Sequence, residues 1–339
     1  MIITYLRSSS AGSFEWCQHK YFLTYCLGFK DDSNKKAVKG NIVHKALELL
    51  ANKQLCLQTK TKNFRDDELD KEFDTLIICP EQAIKSAFEF YSKKENAFEW
   101  TDKDFEECDK WLWDTLLFKD GMFSPLNRVI VEPEKYFDIE LDKPWAKYDF
   151  RLMNGETVSG NLRLKGTMDL ITRIDSKTIE YIDWKTGERK NWSTGKEKGY
   201  DDLFDDFQLR LYHYALSKVY PNEENIIVTI FFVKAGGPFS ICFHKEDLIE
   251  TEEMIRKKFE SIKKCKTPMR IMDLGRDKWK CSKLCKFYKD DFQDGVSTCR
   301  KIHEEIVELG LEKVYTKYAD FTAVKQYGSG GGKTNREST

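Results

Sequence analysis

Apolar residues in GNIVHKALELLANKQ recur at helical spacing. Ile42, Val43, Ala46, Leu47, Leu49 and Leu50 fall on one side, which predicts a helix. Upstream, SSSAGSFEWCQHKYFLTYCLGF opens with serines, good helix N-caps, and continues with aromatic and apolar positions at the same period. Residues 60–120 are charged and helical in pattern, through DDELDKEFDTLI, EQAIKSAFEFYSKKE and DFEECDKWLWDTLLF. From about residue 128 the period falls to two. RVIVEPEKYFDIEL, AKYDFRLM, NLRLKGTMDLITRI and TIEYIDWKTG alternate and are rich in Val, Ile, Tyr and Phe, so they read as successive strands. DDFQLRLYHYALSKVY returns to helix, NIIVTIFFVKAGG and FSICFH to strand, and HKEDLIETEEMIRKKFESIKKC to helix. The order of elements predicts an α/β core with helical material before and after it.

The 339 residues suffice for one large domain or two modest ones. Basic and acidic residues, 56 and 57, nearly cancel, so any binding of phosphate has to come from a local patch rather than from net charge. No apolar run approaches the ~20 residues of a membrane span, and MIITYLRSSS lacks the basic start and long apolar region of a signal peptide. The expected setting is the inside of a cell. Thiols stay reduced there, so the ten cysteines are not expected to form a disulfide framework. The closing QYGSGGGKTNREST resembles a phosphate loop, but Tyr327 stands where the motif needs glycine, no strand precedes it, and too few residues follow for its helix. It reads as a flexible tail, and nucleotide binding there is rejected.

The stretch GTMDLITRIDSKTIEYIDWKTG, residues 166–187, places Asp169, Asp183 and Lys185 among strand-forming residues. A lone charge buried there would be costly. If the two strands are neighbours, both carboxylates can face the same side, where a hard divalent cation would relieve their repulsion. Lys185, two residues after Asp183, emerges on the same strand face and could stabilise charge developing on an attacked phosphate. The bland alternative is a cross-strand surface pair of Asp183 with Lys185 and a strand that ends in Asp169. Surface pairs of that kind are common and contribute little.

With their neighbours, these residues carry a family resemblance. G-T-M-D and Y-I-D-W-K-T-G resemble the second and third motifs of the PD-(D/E)XK nucleases, in particular the RecB-type branch. G-N-I-V-H-K-A-L-E, Gly40 to Glu48, is similar to that branch's first helical motif, and Gln208 with Tyr212 matches its Q-x-x-x-Y motif. The four occur in the family's order over roughly residues 10–300. The resemblance implies an αβββαβ core with a mixed central sheet flanked by helices, and Mg²⁺ or Mn²⁺ held by His44, Asp169, Asp183 and the backbone carbonyl of Trp184. Lys185 would position or activate the attacking water, Gln208 would hold the site's geometry, and Tyr212 would face the DNA strand. Glu48, one turn after His44, would support the site. Without the resemblance, His44 reads as a satisfied helical histidine, and Gln208 and Tyr212 as one face of a packing helix. The segment after Lys185 supplies Arg189, Lys190, Trp192, Lys196 and Lys198, which read either as phosphate and base contacts or as an ordinary solvated loop.

Cys17 precedes this core, and Cys281, Cys285 and Cys299 follow it. The layout resembles that of RecB-type nucleases related to the bacterial helicase–nuclease subunit AddB and of CRISPR-associated relatives, in which one early and three late cysteines hold a [4Fe-4S] cluster. Four thiolates also suit zinc. The spacing departs from the family's, with C-x-x-x-C and thirteen further residues before Cys299. Such a cluster would be structural, stapling the N-terminal helix to the C-terminal segment. The remaining cysteines read as buried or incidental.

The expected organisation is an N-terminal helical region over 1–127 carrying Cys17 and His44, a nuclease core over 128–265, a C-terminal cysteine segment and helix over 266–325, and a tail over 326–339. The expected activity is that of a metal-dependent DNA exonuclease acting on ends or single strands in recombination, replication or repair. It would be cytoplasmic, in a bacterial cell or a phage-infected host, alone or beside a helicase or recombination protein. The rival readings are a non-catalytic nucleic-acid-binding module on the same fold and a structural zinc protein.

Overall fold

In the computed structural model, residues 1–31, 34–60, 78–95, 97–151, 155, 157–190, 195–234, 237–275, 278–292 and 295–318 are described. The predicted helix within 66–77, Trp192 and the tail over 326–339 lie outside them. The chain opens with β1 (Tyr5–Leu6), α1 (Ser8–Trp16) and α2 (Gln18–Tyr21), then runs through one turn of π-helix to α3 (Lys35–Thr59), α4 (Pro80–Lys94) and α5 (Asp102–Leu116). Strands β2 (Val129–Glu140), β3 (Lys147–Arg151), β4 (Thr157–Asn161), β5 (Arg163–Arg173) and β6 (Thr178–Lys185) follow. After them come α6 (Tyr200–Phe204), α7 (Phe207–Val219), β7 (Asn225–Phe232), β8 (Gly237–Phe243) and α8 (Asp247–Lys264). The chain closes with α9 (Lys278–Leu284), α10 (Lys286–Lys289), α11 (Thr298–Leu309) and α12 (Leu311–Tyr318).

These elements make two compact units, neither of which is a single run of sequence. One comprises residues 1–32, 137–166 and the chain from 250 onward; the other comprises 33–136 and 167–249. In the first unit β1 pairs parallel with the start of β5, Tyr5 opposite Arg163. Arg163 bridges Asp138 and Glu140 of β2, each at 2.7 Å. β3 and β4 form a separate antiparallel pair. β4 was not anticipated: TVSGN is short and mostly polar, so it carries no alternation signal.

The second unit holds a mixed sheet. The later part of β5 runs antiparallel to β6, which is parallel to β7, and β7 is antiparallel to β8. β6 is buried from Thr178 to Trp184, as expected for a strand covered on both faces. On one face Ile182 and Trp184 share a core cluster with Ile42, Val43, Ala46 and Leu50 of α3. On the other, Tyr181 meets Tyr212 of α7, ring centroids 4.7 Å apart. This is the mixed α/β architecture expected, a central sheet flanked by helices.

Two local expectations need correction. Arg7, not a serine, is the N-cap of α1, and Ser10 instead returns to accept the Arg7 N–H at 2.9 Å. Cys17 lies between helices rather than within one. Its backbone is extended, and its sulfur accepts the Lys20 N–H at 3.4 Å, so it starts α2 as a cap.

Candidate active site

α3 starts at Asn34, whose side chain accepts the Ala37 N–H at 3.0 Å. It passes very close to the end of β6. A Cβ on Gly40 would lie 2.8 Å from the Thr186 hydroxyl oxygen, so glycine permits the approach. One turn further, His44 extends past the sheet, and its Nδ1 sits 3.4 Å from Asp169 Oδ2.

The β5–β6 ladder ends in register at Leu170 opposite Ile182. Continued by one residue, it sets Asp169 opposite Asp183. The same Asp169 oxygen accepts the Trp184 N–H at 3.0 Å. Asp183 Oδ1 accepts three donors: Tyr181 Oη at 2.9 Å, Lys185 Nζ at 3.0 Å and Gln208 Nε2 at 3.1 Å. Lys185 Nζ also lies 2.8 Å from Asp183 Oδ2, as an ion-pair contact without hydrogen-bond alignment. The alternation of β6 brings Tyr181, Asp183 and Lys185 to one side, and Asp206 starts α7 by accepting the Gln208 N–H at 2.9 Å.

Exposure grades across the site. The Asp183 side chain is 3% exposed and that of Asp169 14%, while His44 and Lys185 keep 28% and 36%. A buried carboxylate therefore forms the floor, and an imidazole and an ammonium form the mouth. Burial pushes the Asp183 carboxyl above its usual range, reinforced by Asp169 and opposed by Lys185. Burial acts the same way on Asp169, but His44, Lys185 and the Trp184 N–H outweigh it and hold that carboxyl below its usual value. Burial disfavours charge on His44 and Lys185 too, yet the neighbouring carboxylates raise both.

The structure thus brings His44, Asp169, Asp183, Lys185 and Gln208 together, with Tyr212 beneath them against Tyr181. Tyr181 itself was missed. Its position two residues before Asp183 on an alternating strand was the available signal. Glu48 pairs with Lys45 at 3.2 Å. Arg189 pairs with Glu197, Lys190 with Glu188 at 2.8 Å and Lys198 with Asp206 at 3.2 Å. Lys190 and Glu197 form an isolated antiparallel bridge.

In the other unit Cys17, Cys281, Cys285 and Cys299 are all buried. Cys17 and Cys281 share a small apolar cluster with Ile271. Burial raises the thiols of Cys285 to about 11 and Cys299 to about 12, with a smaller push in the same direction from Cys17. Among the described residues no group of three or more His, Cys, Asp or Glu side chains is arranged to hold a metal ion. The donors nevertheless fit the groups expected. Two adjoining carboxylates with an imidazole suit a hard divalent cation, and Lys185 and His44 occupy the charge-balancing role here. Four thiols are a donor type that iron–sulfur or zinc takes.

The sequence model of the PD-(D/E)XK nuclease superfamily matches residues 8–288. The chain belongs to this superfamily. The fold is also similar to the crystal structure of a proposed exonuclease from Eubacterium rectale, at 10% identity over 91% of this chain and 94% of that one, with a TM-score of 0.47. A search of curated proteins finds no match. As a member of a nuclease superfamily, the chain has nucleic acid as its implied substrate, and PD-(D/E)XK nucleases generally use Mg²⁺ or Mn²⁺. Among the described residues no helix is long and apolar enough to cross a membrane.

Proposed function

We propose that this PD-(D/E)XK protein is a divalent-metal-dependent deoxyribonuclease of the RecB type that removes nucleotides from DNA ends or single strands. The observation that supports the reading best is the convergence on Asp183 Oδ1 of donors from Tyr181, Lys185 and Gln208, with Asp169 and His44 alongside. A satisfied surface pair would not need a carboxylate buried to 3% exposure.

His44, Asp169, Asp183 and the Trp184 carbonyl would hold Mg²⁺ or Mn²⁺, which when bound supplies Lewis acidity at the scissile phosphate. The protein's own groups divide the remaining work. Lys185, at the mouth, donates to phosphate oxygen as its charge grows and orients the attacking water. Gln208 and Tyr181 fix the Asp183 carboxylate in one orientation. Tyr212, buried beneath them against Tyr181, supports the floor of the site rather than facing the DNA strand. Arg189, Lys190 and Lys198 would exchange carboxylate partners for phosphates, and Lys196 would add a further phosphate contact.

In the other unit, Cys17, Cys281, Cys285 and Cys299 would hold a [4Fe-4S] cluster with a structural role. Iron, sulfide and zinc analysis of anaerobically purified protein distinguishes it from zinc. The setting proposed is recombination, replication or repair in the cytoplasm of a bacterial cell or phage-infected host, with a helicase or recombination protein as partner.

The test is cleavage of end-labelled single- and double-stranded DNA with Mg²⁺ or Mn²⁺, comparing wild type with Asp183→Ala and Lys185→Ala. Each substitution is expected to cost about a hundredfold or more. Cutting by wild type that both variants match would overturn the catalytic reading.

A further inference from the structure

Residues 278–289 read KWKCSKLCKFYK, five lysines and no acid in twelve positions, within a chain whose charges nearly cancel overall. α9 and α10 turn Cys281, Cys285 and Phe287 inward. Outward they leave Trp279 47%, Leu284 53% and Tyr288 38% exposed, together with Lys278, Lys283 and Lys289. Keeping a half-exposed tryptophan in water is unfavourable, and aromatic faces beside cations mark a binding surface.

The local charge is not cancelled. Among the described residues Lys278 and Lys283 take part in no ion pair, and Lys289 donates to the Lys283 carbonyl at 2.8 Å, which leaves its charge intact. Asp290 and Asp291 follow with their charge intact, so the lysines outnumber the neighbouring acids rather than standing alone. Asp290 accepts the Thr298 N–H, and Asp291 accepts the Gly295 N–H, each at 2.9 Å.

We propose that the 278–289 surface binds single-stranded nucleic acid, with Lys278, Lys283 and Lys289 on backbone phosphates and Trp279 and Tyr288 stacked on unpaired bases. Cations alone would serve any polyanion. Exposed aromatic faces select a strand whose bases are free, because a duplex hides them. The choice of nucleic acid rests on the nuclease reading, but binding is independent of cutting.

The test is fluorescence anisotropy of a labelled oligothymidylate in chelator, where nothing is cut. Trp279→Ala is expected to weaken binding about 5- to 30-fold, and Trp279→Tyr to restore most of it. Lys283→Glu with Lys289→Glu is expected to lower the log–log salt slope by about 1.4, and a duplex of equal length to compete poorly. Loss of binding in Trp279→Ala stands even if no metal supports cutting, which separates this surface from the catalytic reading. In the unaltered protein, the oligonucleotide should shield Lys278, Lys283 and Lys289 from acetic anhydride. Wild-type affinity and salt slope in the variants, equal acetylation with and without oligonucleotide, or equal competition by duplex or an acidic peptide would each overturn the proposal.

Discussion

Asp169 Oδ2 accepts the backbone N–H of Trp184 at 3.0 Å, so one carboxylate is pinned to the peptide that immediately follows the other. The separation of the two acids is set by strand pairing, not by flexible side chains. Neither can move without disturbing the β5–β6 ladder. The cost is a pair of neighbouring carboxylates away from water, of which Asp183 is the less willing to ionise. Asp183→Asn keeps the shape and an acceptor oxygen for Lys185, Gln208 and Tyr181 but removes the charge. Loss of the ion-pair partner of Lys185 costs at most about 3–5 kcal/mol, eased by the exposure of Lys185 and the lost repulsion from Asp169, as measured by thermal unfolding without metal, while cutting falls about a hundredfold or more. A variant that keeps wild-type cutting would show that the carboxylate charge is not used.

Gln208 touches the site only through Asp183, so it is a positioning residue. Gln208→Ala removes one of three donors to Asp183 Oδ1 and leaves the backbone of α7 in place. Half-saturating Mg²⁺ or Mn²⁺ in the cleavage assay is expected to rise by about 10- to 100-fold, with excess metal recovering much of the rate. An unchanged metal requirement would assign Gln208 to packing alone.

Gly40 and Thr186 form the closest approach of α3 to the end of β6. Gly40→Ala would press a methyl onto a β-branched side chain with little freedom to rotate away, at a cost of about 1–3 kcal/mol. Thr186→Ala removes the opposing hydroxyl, so the double variant should recover most of that loss. A double-mutant cycle by urea unfolding measures the coupling. Strict additivity would mean that the contact is not what makes glycine necessary.

Much of this was legible in the sequence because buried strands and amphipathic helices carry a period. The runs containing Ile179, Tyr181 and Ile182, or Ile226, Val228 and Ile230, announce strands whichever units they join. The site residues were legible for a related reason: Asp169, Asp183 and Lys185 interrupt that pattern with charges that packing alone would not keep. What stayed hidden is which side chains pair with which once the chain turns. Nothing local shows that Arg189, Lys190 and Lys198 find Glu197, Glu188 and Asp206 as partners. The role of Tyr181 is equally hidden, since a tyrosine in a strand is ordinary until its hydroxyl is seen 2.9 Å from a buried carboxylate. β4 escaped because five polar and small residues are held by pairing with β3, not by burial.

His213 on α7 lies away from the catalytic carboxylates, stacked on Phe243 with centroids 4.9 Å apart. Its Nδ1 is buried without a hydrogen-bond partner among the described residues. Burial pushes its pKa down to about 4, helped by Arg210 and His244 and opposed by Asp247. Unfolded, the imidazole would return to about 6.5. Between those values the unfolded chain binds the extra proton, so this contribution to stability is complete above pH 6.5 and is lost as pH falls toward 4. From pH 7 to pH 5 the loss should be about 2 kcal/mol. His213→Phe keeps the stacking and removes the titration, so its urea-unfolding midpoint should fall less than that of wild type over this interval. Parallel pH profiles for the two proteins would show that His213 is not the group responsible.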